Sequence, residues 1–325
     1  MLMKKLPTAI AKLTLASPLK KLAFLALIGT ASSLHAEIVA GESFSGYLTD
    51  VSLLNQPVTG TGLTGNWGGS QYYRAQDFGL TMNGVYSTGG SVYYPSSTVA
   101  GNGGRSAVAA FTNPLSEEIS YFGSYLFTFF SSGTKPQTVG AVGVGASTDN
   151  DNAASFVWAG NGYNTQADPV IEGPGIRAEG STWQIPGISL TSGTTYVMLF
   201  EFNASLATTS AWVLNEAQLA NFSSSLDAAT LNAALPLTED ANGIVWGGTV
   251  TASTAIGSLE NLMMFGNIST DNSFLFMWDE IRFSNTSLTE AVTATAVPEP
   301  STIAALGLGL GALAIGRTLR RRRNP

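Results

Sequence analysis

Apolar residues between positions 38 and 295 come in short runs broken by Gly, Ser, Thr, Asn and Asp, the pattern of strands joined by tight turns. Residues 121–130 are dense in Tyr and Phe, and residues 138–145 alternate small and apolar side chains. Residues 154–158, 195–202, 262–265 and 274–283 continue the series. Strict period-two alternation over 274–283 predicts Trp278, Glu280 and Arg282 on one face, with Met277, Asp279, Ile281 and Phe283 on the other. One stretch follows a different period. From Asn215 to Leu235, Leu219, Phe222, Leu226, Leu231 and Leu235 recur among alanines, and the run stops at Pro236. This predicts one or two short helices at the sandwich edge. Gly-rich turns without βαβ alternation predict an all-β fold, an antiparallel β-sandwich with a short helical insertion. No linker or internal repeat interrupts residues 37–296, which read as one domain.

The two ends depart from this pattern. Residues 1–36 have the form of a secretory signal peptide: lysines up to Lys21, the apolar segment Leu22–Ile28, then small residues up to Ala36. Cleavage after Ala36 leaves Leu34 at the −3 position, whereas cleavage after Ser33 places Ala31 there. The apolar segment is short against the roughly 30 Å of a bilayer core, so an uncleaved anchor is the weaker reading. At the other end, Val297-Pro298-Glu299-Pro300 precedes an apolar run from Thr302 to Ile315 and a cluster from Arg317 to Arg323. Prolines stop the preceding fold and leave an accessible extended peptide. A helix from Ser301 to Leu319 would span about 28 Å at 1.5 Å per residue, and the arginines would hold its end on the cytoplasmic side.

This succession resembles the PEP-CTERM sorting signal, with Pro298, Glu299 and Pro300 matching its namesake motif. The resemblance implies an exported protein of the cell surface, envelope or extracellular matrix. Its tail (297–325) would anchor it in the membrane at least transiently, an exosortase-type sorting enzyme would recognise it, and exopolysaccharide would be a further partner. A plain C-terminal anchor is the alternative.

Charge and composition narrow the chemistry. Charged residues are 11% of the chain, against about 25% in ordinary globular domains. Between Glu37 and Val297 there are five basic and 21 acidic residues, a formal charge of −16. Such a body repels phosphate backbones, which argues against nucleic acid. There is no cysteine, and the only histidine, His35, lies in the signal segment. Once that segment is removed, Ser-His-Asp and Cys-His nucleophilic sites and the usual zinc sites are excluded.

Within the body, Gly65-Asn66-Trp67-Gly68-Gly69, Thr195-Tyr196-Val197, Ala211-Trp212-Val213-Leu214-Asn215 and Trp278 to Phe283 together resemble concanavalin A-like (LamG-like) jelly rolls. The resemblance implies that fold, while the functions carried on it vary widely.

Three chemistries remain open. Glycoside hydrolysis needs two carboxylates about 5 to 9 Å apart. The nearest acids are Glu172 and Glu179, across a Gly-Pro loop, and Glu201, alone between Phe200 and Phe202. Calcium prefers oxygen ligands, and Asp149, Asp151 and Asn152 cluster them in one loop, with residues 270–272 as a weaker second. The other reading of such a loop is an Asx turn. No cofactor is certain, and calcium is the single candidate. Sugar binding would use aromatic rings beside amides, and Trp158, Asn161, Tyr163 and Asn164 supply both, although such rings more often fill a core. Asp279, Glu280 and Arg282 form a compact charged group, in which Arg282 is expected to pair with a neighbouring acid and fix the last strand.

The expectation is a non-enzymatic, polysaccharide-associated surface protein. A carbohydrate-active enzyme and a ligand-free structural envelope protein are the other readings. If the 149–152 loop holds calcium, replacing Asp149 and Asp151 by Ala lowers the melting temperature in calcium and leaves it unchanged in chelator. Equal loss in both buffers leaves the Asx turn.

Overall fold

Aromatic and β-branched side chains at every second position bury one face of a strand, and here they pair strands into two antiparallel sheets. The structure, a computed structural model, describes residues 38–94, 103–116, 119–132, 138–145, 156–164, 171–177, 190–203, 208–222, 226–234, 246–251, 259–268 and 273–293. The expected signal and membrane helices, in 1–36 and 297–325, lie outside these residues. Among the described residues no helix is long and apolar enough to cross a membrane.

In chain order the strands are β1 Ile38–Glu42, β2 Leu63–Gly69, β3 Arg74–Gln76, β4 Ser91–Tyr94, β5 Gly103–Leu115, β6 Tyr121–Ser132 and β7 Thr138–Gly145. They continue with β8 Phe156–Asn164, β9 Ile171–Arg177, β10 Tyr196–Asn203, β11 Thr208–Leu214, β12 Trp246–Thr251, β13 Leu259–Ile268 and β14 Ser273–Ser284. The helices are α1 Glu216–Asn221, α2 Ala228–Ala233 and α3 Leu288–Thr293. One sheet runs β12-β11-β10-β6-β14-β4-β3, with β1 also on β14, and the other runs β2-β5-β13-β7-β8-β9.

The facing sides of the two sheets make the main core. Phe127 of β6 stacks on Phe276 of β14 with ring centroids 5.5 Å apart and on Tyr196 of β10 at 5.7 Å. Phe276 in turn presses on the second sheet at Gly140, where a Cβ would come within 2.4 Å of its ring. The buried Tyr73 hydroxyl donates to the carbonyls of Arg105 at 2.7 Å and Met264 at 3.1 Å, tying the chain before β3 to β5 and β13.

The outer side of the β6–β14 sheet is apolar as well, with Leu126, Val197, Leu199, Trp212, Leu214 and Met277 buried there. Leu219 of α1, Leu231 of α2, Leu288 and Val292 of α3, and Leu80 and Met82 of the preceding loop cover it. The two expected short helices are α1 and α2, near the β12 edge. Asn215 and Gln218 form a capping box at α1, and Asp227 caps α2 through the Thr230 amide. Helix α3 was not expected, although Ser287 and Glu290 carry the Ser-x-x-Glu start signal, and the Glu290 amide donates to Ser287 Oγ at 3.2 Å.

The last strand departs from strict alternation. Its register with β6 shifts between Asp279 and Arg282, and Glu280 sits in the left-handed region at φ 52°. Phe276 and Trp278 face the main core before this bulge, and Ile281 and Phe283 face it afterwards. The expected grouping of Ile281 and Phe283 with Met277 is therefore corrected, because an extra residue in one strand reverses the parity beyond it. The bulge leaves Asp279, Glu280 and Arg282 on the outer side. Asp279 accepts the amide of Leu80 through Oδ2 and that of Glu280 through Oδ1, both at 2.7 Å.

Burial, reinforced by the Glu280 charge, pushes the Asp279 carboxyl up to about 9. The folded chain thus holds a proton that the unfolded chain releases above about pH 4, so stability falls as pH rises from about 4 towards 9. Asp279→Asn removes this titration. Its melting temperature should decline less steeply than the wild type's between about pH 5 and pH 9, and parallel declines would contradict the assignment.

Candidate functional site

Strand β14 has two partners along one edge. Phe276 to Trp278 pair with Tyr94 to Val92 of β4, and Ile281 to Ser284 pair with Glu42 to Ile38 of β1. The bulge lies where one partner ends and the next begins. The chain leaves β1 at Ser43 and enters β4 at Ser91, and Gly90 packs so tightly on Phe44 that a Cβ would lie 2.6 Å from its carbonyl carbon. Amides in such a gap lack strand partners, and buried amides require acceptors.

Carboxylates supply them. Glu42, 2% exposed, accepts from the Phe44 amide and Thr59 Oγ1 through Oε1, at 2.9 and 2.8 Å. Its Oε2 accepts from the Thr59 and Gly60 amides at 3.2 and 3.1 Å, and from the Tyr47 hydroxyl at 3.2 Å. The Trp67 indole donates to the Tyr47 hydroxyl at 2.9 Å, extending the network to β2. Burial pushes the Glu42 carboxyl up, while its donors, Thr59 foremost, pull it down. Burial and the Glu42 charge push Tyr47 up to about 12. Glu280 takes the Thr88 amide at 2.5 Å and the Thr88 hydroxyl at 3.2 Å through Oε1, and the Arg282 guanidinium at 2.6 Å through Oε2. Arg282 also donates to the carbonyls of Val292 in α3 at 3.1 Å and Tyr86 at 2.5 Å. Its guanidinium carbon lies 5.0 Å from the Tyr86 ring centroid.

Glu42 and Glu280 line one cleft of about 230 Å³, together with Arg282, Tyr86, Ser43 and Ser45, and with Thr59, Thr61 and Thr88 towards its rim. Ile38 supplies apolar wall, while Ile281, also along the cleft, turns its side chain into the main core. Both carboxyl groups are engaged by several donors, an arrangement that holds loops in place and leaves neither as a free general base.

The residues predicted from sequence are placed unevenly. Asp149, Asp151, Asn152, Glu179, the 270–272 turn and the Pro298-Glu299-Pro300 motif lie outside the described residues. Positions 158, 161, 163 and 164 all fall in β8. Register opposes Trp158 to Gly143 and Asn161 to Gly140, and Gly140 backs onto Phe276 of the core. Positions 158 and 164 therefore belong to the outer face of the sheet, and 161 and 163 to the inner face. Glu172 pairs with Tyr163 across β8 and β9. Glu201 is half-buried on the outer side of β10, opposite Phe122 and Ser210, and burial raises its carboxyl against a bond from Asn203. Its cross-strand neighbours bring no second carboxylate. Among the described residues no group of three His, Cys, Asp or Glu side chains is placed to hold a metal. The expected pairing of Arg282 with a neighbouring acid is present, with Glu280. Glu42 and Tyr47 were not singled out from sequence, because their partners are contributed by a distant loop.

Comparison with known proteins gives three findings. No curated protein matches the chain. Its solved neighbours include lectin II from Ulex europaeus, at 10% identity and TM-score 0.42, covering 73% of this chain and 99% of that one. They also include a lectin from Bauhinia forficata in complex with GalNAc, at 12% identity and TM-score 0.40, covering 74% and 99%. Peanut lectin with a 9mer peptide matches at 12% identity and TM-score 0.40, covering 65% and 96%. The model of the PEP-CTERM protein-sorting motif matches residues 296–323, so the chain carries that sorting motif at its C-terminal end.

Proposed function

We propose that this chain is a non-enzymatic protein of the cell surface or extracellular matrix, exported by residues 1–36, sorted through residues 297–325 and associated with polysaccharide through the sandwich of 37–296. The observation that carries the reading is the sorting motif at 296–323. A tail of this kind calls for an exosortase-type enzyme as partner and for at least transient membrane contact through the apolar run 302–315. The acidic body between the two ends suits a solvated surface. Engagement of Glu42 and Glu280 by backbone donors favours a holding role over catalysis.

On this reading, Trp158, Asn161, Tyr163 and Asn164 of β8 are the proposed glycan-binding residues. Asp149, Asp151 and Asn152 remain the proposed calcium ligands.

Deleting residues 298–325 while keeping the export signal should release the body in soluble form outside the cell. Fractionation that still finds the truncated chain in the membrane would contradict sorting through the tail.

A further inference from the structure

The cleft beside the β14 bulge has a chemical character of its own. Its charged groups are compensated internally: Glu42 by five donors, and Glu280 by Thr88 and Arg282. The five donors to Glu42 are neutral, so with one guanidinium for two carboxyl groups no cation is left over for an anionic ligand. What the cleft offers is hydrogen bonding in both directions. Ser43 and Ser45 hydroxyls lie 2.9 Å apart at its wall, and Thr61 is exposed at its edge. Glu280 is nearly fully buried and held by Thr88 and Arg282, so the serine and threonine hydroxyls are the groups the cleft offers. The half-buried Tyr86 ring, fixed by Arg282 beside it, completes an amphipathic lining with Ile38. Non-glycine residues at positive φ flank both sides, Phe44 at 55° and Glu280 at 52°. Strain of this kind persists only where the surroundings over-determine it, and it tends to cluster at binding sites. The volume, about 230 Å³, is below the roughly 300 Å³ at which pockets for drug-sized ligands begin.

We propose that this cleft is a subsite for one neutral sugar residue of a polysaccharide chain, its hydroxyls exchanging hydrogen bonds with Ser43, Ser45 and Thr61. This rests on the polysaccharide-associated reading above and gives it a location, separate from β8. A neutral pyranose both donates and accepts, carries no charge to compensate, and presents a C–H face to Tyr86. A uronic acid residue would bring its carboxylate beside Glu42 and Glu280 and be repelled.

The test uses the full chain in calorimetric titration with neutral tetrasaccharides of β-1,4-glucan, β-1,3-glucan, α-1,4-glucan and α-1,6-mannan, and with tetragalacturonate. At least one neutral tetrasaccharide should bind, and tetragalacturonate should not. Thr61→Trp, at an exposed position on the cleft, should weaken that binding at least ten-fold with an unchanged melting temperature. Ser45→Trp, at a second lining position, serves as an independent block, while Thr64→Trp, exposed on β2 and outside the cleft, should bind like the wild type. Wild-type affinity in both blocked variants would overturn the cleft assignment and leave polysaccharide association standing. A wild-type chain that binds no probe, or only the anionic one, would overturn the association and the subsite with it.

Discussion

Strand β14 must serve two successive partners on one edge while keeping its other edge on β6, and the bulge at Asp279 and Glu280 is how it does so. Without the extra residue, Ile281 and Phe283 would turn out of the main core, and the place Phe283 holds against Phe200 and Phe111 would go to a polar side chain. With it, the core stays continuous through the junction. The consequence is a gap in the ladder where β4 has ended and β1 has not yet begun, in a protein that buries the backbone around that gap.

Buried carboxylates complete what strand pairing leaves unfinished. Asp279 takes the Leu80 amide, Glu280 the Thr88 amide, and Glu42 the amides of Phe44, Thr59 and Gly60. A hydrogen bond contributes about 0.5–1.5 kcal/mol between neutral groups, as at the protonated Asp279, and about 1.5–3 kcal/mol to a charged one, and removing one member of the buried Glu280–Arg282 pair costs about 3–5 kcal/mol. The chain has no disulfide to hold its loops, so this network joins backbone bonds such as Leu53 to Tyr73 and Tyr86 to Val292 in fixing the segments 43–62 and 77–90. The same arrangement shapes the cleft: its walls are the two loops, and its floor is the bulge that binds them.

Much of the fold was legible because period-two alternation reports local burial. The strands at 121–130, 195–202 and 274–283 stand where aromatic and aliphatic residues predicted them. The paired helices α1 and α2 were marked by the leucine spacing and by Asn215 and Asp227 as caps. Strands β3 and β4, of three and four residues, are too short for periodicity to register. The bulge was not legible because two tertiary partners impose it, and the adjacent Asp279 and Glu280 alone do not say on which side the strand gains a residue. Glu280 and Arg282 nonetheless kept to one side, so their pairing could be foreseen, whereas Trp278 parted from them. Glu42 was not legible either, since its donors come from its own turn and from a loop 17 and 18 residues away, and the partner of Asp279 at Leu80 lies 199 residues away. Function was legible at the ends of the chain, where targeting depends on linear motifs, and far less in the middle, where it depends on geometry.

Amide hydrogen exchange tests the central claim most directly. If carboxylates take the place of missing strand partners, the amides of Phe44, Thr59, Gly60, Leu80 and Thr88 should be protected to a degree comparable with strand amides such as Leu199, although all five lie outside regular strands. Exchange of these five at the rate of an unstructured loop, with the strands still protected, would contradict it.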